Sequence, residues 1–467
     1  MTVSPTSVSQ QKLSEANLSE CGEDGFFALL KNRGFRFLWL GQVASQLGDR
    51  IVFVVFIAMI TATFGANDSY NSGLYIAFTI PAIALTAIAG VFVDRWPRRQ
   101  VLVVTNLIRA AVVAVLPFAL NVSLWAVYGV AFMVSAATQF FVPAESASIP
   151  ALVPKQQLVT ANSLFTTTMM MSVVFGFSLS DPLIELLGLQ SVHWAIVGLF
   201  VLASVLLTQV RIPKVIQDEM PDEAMEKKSE TVGEACRTLW HDLKDGFVYL
   251  KSEPVILIWM MILAILFSAV VSMCILLIGF AREVLYADPA IAARKFAHII
   301  TVSGLGMGLG AACVKPLLGI RGISSKRLVT LSLIGLSVTI GALLLTPSFS
   351  FTHVVFRPFG LALGLTERIV WTYGVSALMG VCAAFVAVPT QSEIHERIAE
   401  NMRGKMMGIQ FTLLSTSSTF PVIVTGLGAQ WLGTSWMIAL LSCPLLLAGV
   451  YGLLCFKPNA NASTHLH

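Results

Sequence analysis

Charged side chains are scarce in this chain. Asp, Glu, Lys and Arg make up 12% of its 467 residues, whereas about 25% is usual in soluble domains. Hydrophobic residues reach 56%, and the mean hydropathy is +0.79. They form about a dozen apolar stretches of roughly 20 residues, and such a stretch crosses a bilayer as a helix because only a helix satisfies its own backbone groups there. The composition therefore excludes a soluble enzyme and predicts a polytopic membrane protein.

Two kinds of site are also missing from the sequence. It contains no GxxxxGK[ST] loop, which an ATP-driven pump would need to hold nucleotide phosphates. Its seven cysteines include no CxxC pair, so neither a disulfide framework nor a zinc site is indicated. We therefore expect no nucleotide, metal or other cofactor, and no enzymatic activity. The N-terminal tail lacks an apolar core followed by a small-residue cleavage site, so no cleaved signal peptide is expected.

The apolar stretches predict an all-α membrane protein with twelve transmembrane helices in two six-helix pseudo-repeats. A polar tail, 1–34, precedes the first half, 35–210, and a tail, 458–467, follows the second half, 254–457. The predicted spans are 36–62, 73–93, 100–119, 122–142, 158–180, 190–210, 254–281, 296–318, 327–346, 368–389, 405–426 and 434–456. This arrangement is typical of carriers whose halves rock about a central site.

A long polar linker, 211–253, separates the two halves. Its second part carries apolar residues at helical spacing, which predicts an amphipathic helix lying along the membrane surface. These residues are Val232, Cys236, Leu239, Leu243, Phe247 and Leu250.

The basic residues predict the orientation. Of the 30 Lys and Arg residues, 23 fall on the side of the two termini, five on the other side and two within spans. Because cytoplasmic loops retain positive charge, we expect both termini in the cytoplasm. The net charge of +4 reflects this bias and does not indicate nucleic-acid binding.

A charged loop joins spans 2 and 3 and reads Gly90-Val91-Phe92-Val93-Asp94-Arg95-Trp96-Pro97-Arg98-Arg99. The loop after span 8, 319–327, holds the corresponding place in the second half, where it keeps the basic end and loses the Asp. In span 8, four glycines at alternate positions predict close helix packing. These glycines are Gly304, Gly306, Gly308 and Gly310.

The loop after span 2 resembles the G-x-x-x-D-R-x-G-R-K signature of the major facilitator superfamily, with Pro97 in place of the second glycine. Further stretches are similar to a bacterial branch that contains multidrug, macrolide and siderophore exporters: 35–42 running on to 48–49, 142–144, 149–154, 245–250 and 403–405. The resemblance covers roughly 35–455 and implies a multi-pass transporter of the bacterial inner membrane. Two features depart from the family pattern. Span 5 lacks the antiporter Gly-Pro pair, at 176–181, and span 4 lacks an expected arginine.

The resemblance implies a conformational latch in the loop after span 2. Asp94 would bind the positive N-terminal end of span 11 in the outward-facing state, and the arginines would pair with neighbouring cytoplasmic groups. The alternative is a purely topological role for these charges. The latch residues are Gly90, Asp94, Arg95, Arg98 and Arg99.

Asp49 is the candidate coupling residue, because it is the only carboxylate placed deep within a predicted span. It shares one face of span 1 with Gln42, Gln46 and Phe53, because their spacing is 4, 3 and 4. A carboxylate inside a bilayer is costly and usually faces a partner or a wet cavity, and burial favours its neutral form, so reversible protonation is one interpretation. A permanent ion pair or interhelical hydrogen bond is the other.

Two arginines are predicted to be structural charges within the membrane. Arg50 is turned by about 100° from Asp49 and need not face the same cavity. Arg109 lies near mid-depth in span 3, where a structural role is favoured over substrate contact. Whether Asp49 pairs with either arginine stays open.

Span 4 carries a mixed aromatic and polar stripe at the same helical spacing. This stripe suits an amphipathic ligand, although an interhelical packing face explains it almost equally well. Its residues are Tyr128, Phe132, Ser135 and Gln139. In the second half, span 10 contributes Trp371 to a mostly apolar wall.

Two classes of function follow. The first is a secondary active transporter that exports an amphipathic small molecule by alternating access, as a proton antiporter if Asp49 titrates. The second is a non-transporting protein of the same fold that assists membrane assembly or binds pigment or lipid. An uptake carrier is also open, since no motif here encodes direction.

Overall fold

The computed structural model describes residues 29–154, 157–211, 249–250, 253–319, 323–349, 353–356, 363–398 and 403–455. Helices make up nearly all of this part of the chain. The predicted N-terminal tail lies outside the described residues up to 28, as does the C-terminal tail, 458–467, and the predicted amphipathic helix of the linker apart from 249–250.

The first half contains six helical elements. Their bounds are α1 Arg33–Phe64, α2 Asp68–Arg95, α3 Arg98–Ala114 with Leu116–Val122, α4 Leu124–Leu152, α5 Leu158–Leu187 and α6 Val192–Thr208. The two segments of α3 meet at a bend of 43°. Helix α1 begins where the Asn32 side chain accepts a hydrogen bond from the Phe35 amide, and it ends at Gly65, whose φ of 91° suits glycine.

The second half repeats this order. Its helices are α7 Pro254–Phe280, α8 Pro289–Leu318, α9 Ser325–Ala342, α10 Glu367–Arg397, α11 Arg403–Leu432 and α12 Thr434–Cys455. A π-helical turn, Ala281–Leu285, extends α7, and a 3-10 turn, Leu343–Ser348, extends α9. Strands β1, His353–Phe356, and β2, Leu363–Thr366, form a short antiparallel hairpin in which His353 pairs with Thr366.

The helix lengths agree with a membrane-spanning bundle. Among the described residues, eight helices are long and apolar enough to cross a bilayer, and nine are if the bent α3 counts as one span. Helix α6 has 17 residues and is shorter than the usual span. The all-α membrane fold is therefore confirmed, and its two sets of six are consistent with the predicted twelve spans.

Glycines bring certain helices into close contact. A Cβ on Gly306 of α8 would lie 2.1 Å from the Ala377 carbonyl oxygen of α10, and a Cβ on Gly310 would lie 2.9 Å from Val381 backbone atoms. By contrast, a Cβ on Gly308 would meet nothing within 4 Å. The predicted role in close packing is confirmed at Gly306 and Gly310, where backbones approach too closely for a side chain.

The end of the bundle that carries the loop between α2 and α3 is called the proximal end. The distal end carries the α1–α2, α7–α8 and α11–α12 connections, so the first residues of α2 and the last residues of α11 lie there.

Candidate functional site

An ion pair joins α1 to α3 inside the bundle. Nη1 of Arg109 lies 3.1 Å from both carboxylate oxygens of Asp49. The Arg109 side chain is fully buried, while that of Asp49 is 20% exposed. Arg109 is about 16 Å along α3 from its first residue at ~1.5 Å per residue, which is near mid-depth. The question left open by the sequence is answered: Asp49 pairs with Arg109.

Three helices hold the Arg109 guanidinium in place. Its Nη2 donates to Asn106 Oδ1 at 2.9 Å, one turn earlier on α3. Its Cζ lies 4.7 Å from the ring centroid of Phe141 on α4 and 4.9 Å from that of Phe200 on α6. A cation within about 6 Å of an aromatic face is attracted by the ring quadrupole. Arg109 thus has three contacts besides the ion pair with Asp49.

A second carboxyl group lies at the same centre. Glu145 on α4 is only 6% exposed, and its Oε1 has no hydrogen-bond partner among the described residues. Arg109 and Asp49 both act on it electrostatically. The interpretation of Asp49 as the sole carboxylate deep in a span is therefore wrong. Span 4 was predicted to end at 142, but α4 passes through Pro143 and Pro150 and continues to Leu152.

Arg50 belongs to a different contact. Its side chain packs against α5 at Gly176, where an added Cβ would lie 2.4 Å from Arg50 Cβ. The Nε of Arg50 has no hydrogen-bond partner within the part of the chain that the structure describes. Gly176 therefore accommodates Arg50 at the place where the antiporter pattern of span 5 is missing.

The polar face of α1 is buried against other helices of the first half. Gln42 donates to the Phe165 carbonyl of α5 at 3.5 Å, and its own Oε1 accepts no hydrogen bond from the described residues. Gln46 is buried, as is Ser45, whose Oγ is likewise unpaired there. Phe53 lies 5.9 Å from Phe78 of α2, centroid to centroid. This face therefore offers unpaired oxygens near Asp49.

The predicted stripe on α4 mainly contacts α2. The Tyr128 hydroxyl donates to the Tyr70 carbonyl at 2.9 Å, and the Ser135 hydroxyl donates to the Phe78 carbonyl. Gln139 donates to the Ser135 carbonyl at 3.2 Å, and Phe132 is 37% exposed on the bundle. These contacts favour the packing alternative for the stripe.

Trp371 is placed in the packing of the second half. Its indole Nε1 donates to the Ala342 carbonyl at 3.1 Å, and its ring stacks on Phe349 at a centroid distance of 4.8 Å. Both contacts tie α10 to the end of α9. They favour a structural role over ligand contact.

The loop after α2 is partly described. Arg98 donates to the Ala147 carbonyl of α4 at 2.8 Å, and Arg99 donates to the Thr208 carbonyl of α6. The side chains of Asp94 and Arg95 lie outside the described residues, and Gly90 lies within α2. The latch therefore stays a prediction.

Polar contacts join the two halves at the distal end. Asp68 Oδ2, at the start of α2, lies 3.1 Å from Nη2 of Arg282, which follows α7. Ser69 donates to Gln430 Oε1 of α11 at 2.6 Å. The α2 helix of the first half is therefore tied to two elements of the second.

A second set of contacts joins α5 to α8. Asp181, which is 3% exposed, lies 3.5 Å from Nε of Arg294 and 3.7 Å from Nε2 of His298. Glu185 Oε1 lies 3.6 Å from Nη2 of Arg294. Together, the contacts of α2 and α5 join the two halves at the distal end. The sequence analysis did not identify these groups, because ion pairs between halves have no sequence spacing.

The comparison with known families decides the class of the protein. The family model described as Major Facilitator Superfamily matches residues 38–372. The chain belongs to this superfamily. It is accordingly a membrane transporter of that family and not an enzyme. Within the described ranges, no cluster of three or more His, Cys, Asp or Glu side chains could hold a metal ion.

Curated relatives of this superfamily protein match along both halves. An uncharacterised MFS-type transporter, YfiS of Bacillus subtilis, is 24% identical over 431 residues, covering 90% of this chain and 93% of that protein. Macrolide efflux protein A of Streptococcus pyogenes is 23% identical over 415 residues, covering 86% and 91%.

Solved structures share the fold at low identity. The inward-facing state of a bacterial homologue of the iron transporter ferroportin superposes with a TM-score of 0.67 at 17% identity, covering 91% of this chain and 98% of that chain. The outward-facing state of a bacterial ferroportin homologue with soaked iron gives a TM-score of 0.53 at the same identity, covering 90% and 98%.

Proposed function

We propose that this protein is a secondary active transporter that exports an amphipathic small molecule by alternating access. The observation that carries the proposal is that two groups of polar contacts, one from α2 and one from α5, join the halves at the distal end. Asp68 with Arg282, and Asp181 with Arg294, each join one half to the other. A route through the distal end requires these ion pairs to separate, so they act as a gate between the two halves.

The basic-residue asymmetry assigns the distal end to the outside of the cell. On that orientation both termini and the linker are cytoplasmic, and the described conformation is closed to the outside. The higher TM-score with the inward-facing state of the ferroportin homologue supports the same conclusion. Cysteine labelling from outside intact cells should miss a probe in the linker and reach one at Ser348.

Export is supported by the match to macrolide efflux protein A over both halves. The cargo is inferred from the buried polar face of α1. Gln42 Oε1 and Ser45 Oγ accept no hydrogen bond from the described residues, and unpaired buried oxygens favour a ligand or water that donates hydrogen bonds. An amphipathic molecule with donor groups on an apolar body meets this requirement.

Proton antiport is proposed as the energy source, with Asp49 as part of the coupling centre. Asp49 is the partly exposed member of a buried charge cluster. Its partial exposure allows Asp49 to leave Arg109 for a water-filled cavity when the charge of the centre changes, while Arg109 stays in the interior.

The test uses inverted membrane vesicles and a radiolabelled macrolide. An imposed gradient with an acidic vesicle interior should drive accumulation of the label, and a protonophore should abolish it. Asp49→Asn should lose this accumulation while retaining exchange of label without a gradient, and Asp49→Glu should keep part of the activity. Accumulation only in right-side-out vesicles would indicate uptake. A panel of amphipathic compounds that shows no transport in either orientation would favour the non-transporting alternative.

A further inference from the structure

Two carboxyl groups of the first half feel the charge of one arginine: Asp49 pairs with Arg109, and Glu145 is buried near them. We propose that Glu145 is a proton-binding site and that its proton is the one exchanged during transport. The inference rests on the proposed transport function, but proton binding itself can be measured without a substrate.

The first step is the pairing of the charges. Arg109 uses one nitrogen for both oxygens of Asp49 and another for Asn106. Glu145 accepts no hydrogen bond at Oε1 from the residues that the structure describes, and it is nearly fully buried. An ionised carboxylate without a partner is strongly disfavoured in such a place. The described arrangement therefore fits a protonated Glu145 beside an ionised Asp49.

Loss of the Glu145 proton would release Asp49 and leave Arg109 in place. Asn106, Phe141 and Phe200 hold the guanidinium whether or not Asp49 is present. When Glu145 loses its proton, two carboxylates compete for the same Arg109. Glu145 then takes the arginine, and Asp49, which is partly exposed, is released to water. One proton leaves Glu145 for water in this conformation and one returns from water in the other, with no other bond changed.

An internal repeat relates Glu145 to a residue at the same place in the second half. Val142-Pro143-Ala144-Glu145-Ser146 of α4 corresponds to Val388-Pro389-Thr390-Gln391-Ser392 of α10, the fourth helix of the second half. Glu145 lies seven residues before the end of α4, and Gln391 lies six before the end of α10. An amide therefore replaces the carboxyl in the other half.

The Gln391 amide is hydrogen-bonded on both of its polar atoms. Gln391 accepts from Gln410 Nε2 of α11 at 2.7 Å, and its Nε2 lies 2.8 Å from Nε2 of His395. Since an amide exchanges no proton near neutral pH, the repeat leaves Glu145 as the ionisable member of the pair.

Other charges around α4 are assigned as follows. Asp49 of α1 and Arg109 of α3 act on Glu145 electrostatically. Arg98 of α3 donates to the Ala147 carbonyl nearby, whereas Arg50 of α1 packs against α5. On α5 the acids Asp181 and Glu185 contact α8 at the distal end. On α2, Asp68 pairs with Arg282 at that same distal end, and the side chains of Asp94 and Arg95 lie outside the described residues.

The test is infrared difference spectroscopy of the purified full-length protein during a pH titration in H₂O and D₂O. A protonated carboxyl gives a carbonyl stretch that shifts in D₂O. Wild type should show this band at neutral pH, and Glu145→Gln should lack it. Asp49→Asn should move its loss to a more acidic pH, because Arg109 then becomes available to Glu145. Asp181→Asn, which removes an equally buried acid at the distal end, should leave the band unchanged.

An unchanged band in Glu145→Gln would overturn the proposal, and so would a band that disappears only in Asp49→Asn. If Glu145→Gln does not fold, Glu145→Asp keeps the question open to measurement, since the band should persist at a shifted frequency and titrate. Glu145→Gln should also lose pH-driven macrolide accumulation while retaining gradient-free exchange. A spectroscopic success without macrolide transport would reject the cargo and leave the proton site standing.

Discussion

Replacing Arg109 should destabilise the protein more than replacing its partner Asp49. Arg109→Gln removes the guanidinium from a fully buried site and leaves the ionised Asp49 without a counter-charge beside Glu145. Breaking a buried ion pair by removing one partner typically costs about 3–5 kcal/mol, and each lost cation–π contact adds roughly 0.5–2 kcal/mol. Protonation of the orphaned carboxylate offsets part of this cost, so we expect a net loss of about 3–5 kcal/mol.

Asp49→Asn should cost less, on the order of 1–2 kcal/mol. The reason is that Glu145 stands ready to pair with Arg109 once Asp49 is neutral. The double variant Asp49→Asn with Arg109→Gln should recover part of the loss, because it buries one carboxyl fewer without a partner. We therefore expect a coupling energy of about 1–3 kcal/mol between the two positions.

The assay is unfolding of the purified protein in mild detergent, followed by intrinsic fluorescence across a denaturant titration. The four proteins of the cycle are compared at one pH and one detergent concentration. Equal losses for Arg109→Gln and Asp49→Asn would refute the shared-arginine reasoning. A coupling energy below about 0.5 kcal/mol, the usual limit for independent sites, would refute the ion pair itself.

Three further predictions concern other parts of the molecule. A Ser69→Cys and Gln430→Cys pair should be joined across the distal end by a short bis-methanethiosulfonate cross-linker, because the two native side chains are in hydrogen-bond contact at 2.6 Å; transport should stop on cross-linking, return on reduction and stay insensitive in either single variant. Asp94→Asn should leave expression near normal and lower transport by removing a charge at a helix terminus, and wild-type transport in this variant would exclude the latch. Gly306→Val should prevent folding or cost several kcal/mol, whereas the matched Gly308→Val should be tolerated, since a Cβ there meets nothing within 4 Å; expression and size-exclusion profiles measure both.

Much of the helix order could be predicted from the sequence, because about 20 apolar residues in a row have few structures open to them in lipid. The end of α4 could not. Pro143 and the polar residues after it resemble a helix end, yet proline is tolerated inside membrane helices where neighbours satisfy the freed backbone groups. The helix continues, and Glu145 enters the interior as a result.

The partner of Asp49 also could not be predicted from the sequence. Arg50 and Arg109 are both within reach of an interior carboxylate by their depth alone. What separates them is the rotation of α1 against α3 and α5, which is fixed by small residues: Gly48 admits Phe200, and Gly176 admits Arg50. The polar stripe on α4 shows the same limit. Helical spacing places Tyr128 and Ser135 on one face, but it does not say that this face meets α2.

The two halves have the same helix order but differ in their buried charges and in their closest helix contacts. The first half encloses Asp49, Arg109 and Glu145, while the corresponding position of Glu145 in the second half is the amide Gln391. The second half instead has its closest backbone contacts between α8 and α10 at Gly306 and Gly310. One arginine cannot pair fully with two carboxylates at once. Protonation of one carboxylate therefore determines which of the two pairs with Arg109. Under the proposal for Glu145, the proton-dependent change takes place in the first half. Asp68 of α2 and Asp181 of α5 belong to that half and form ion pairs with the second half at the distal end, so they are placed to pass the change on.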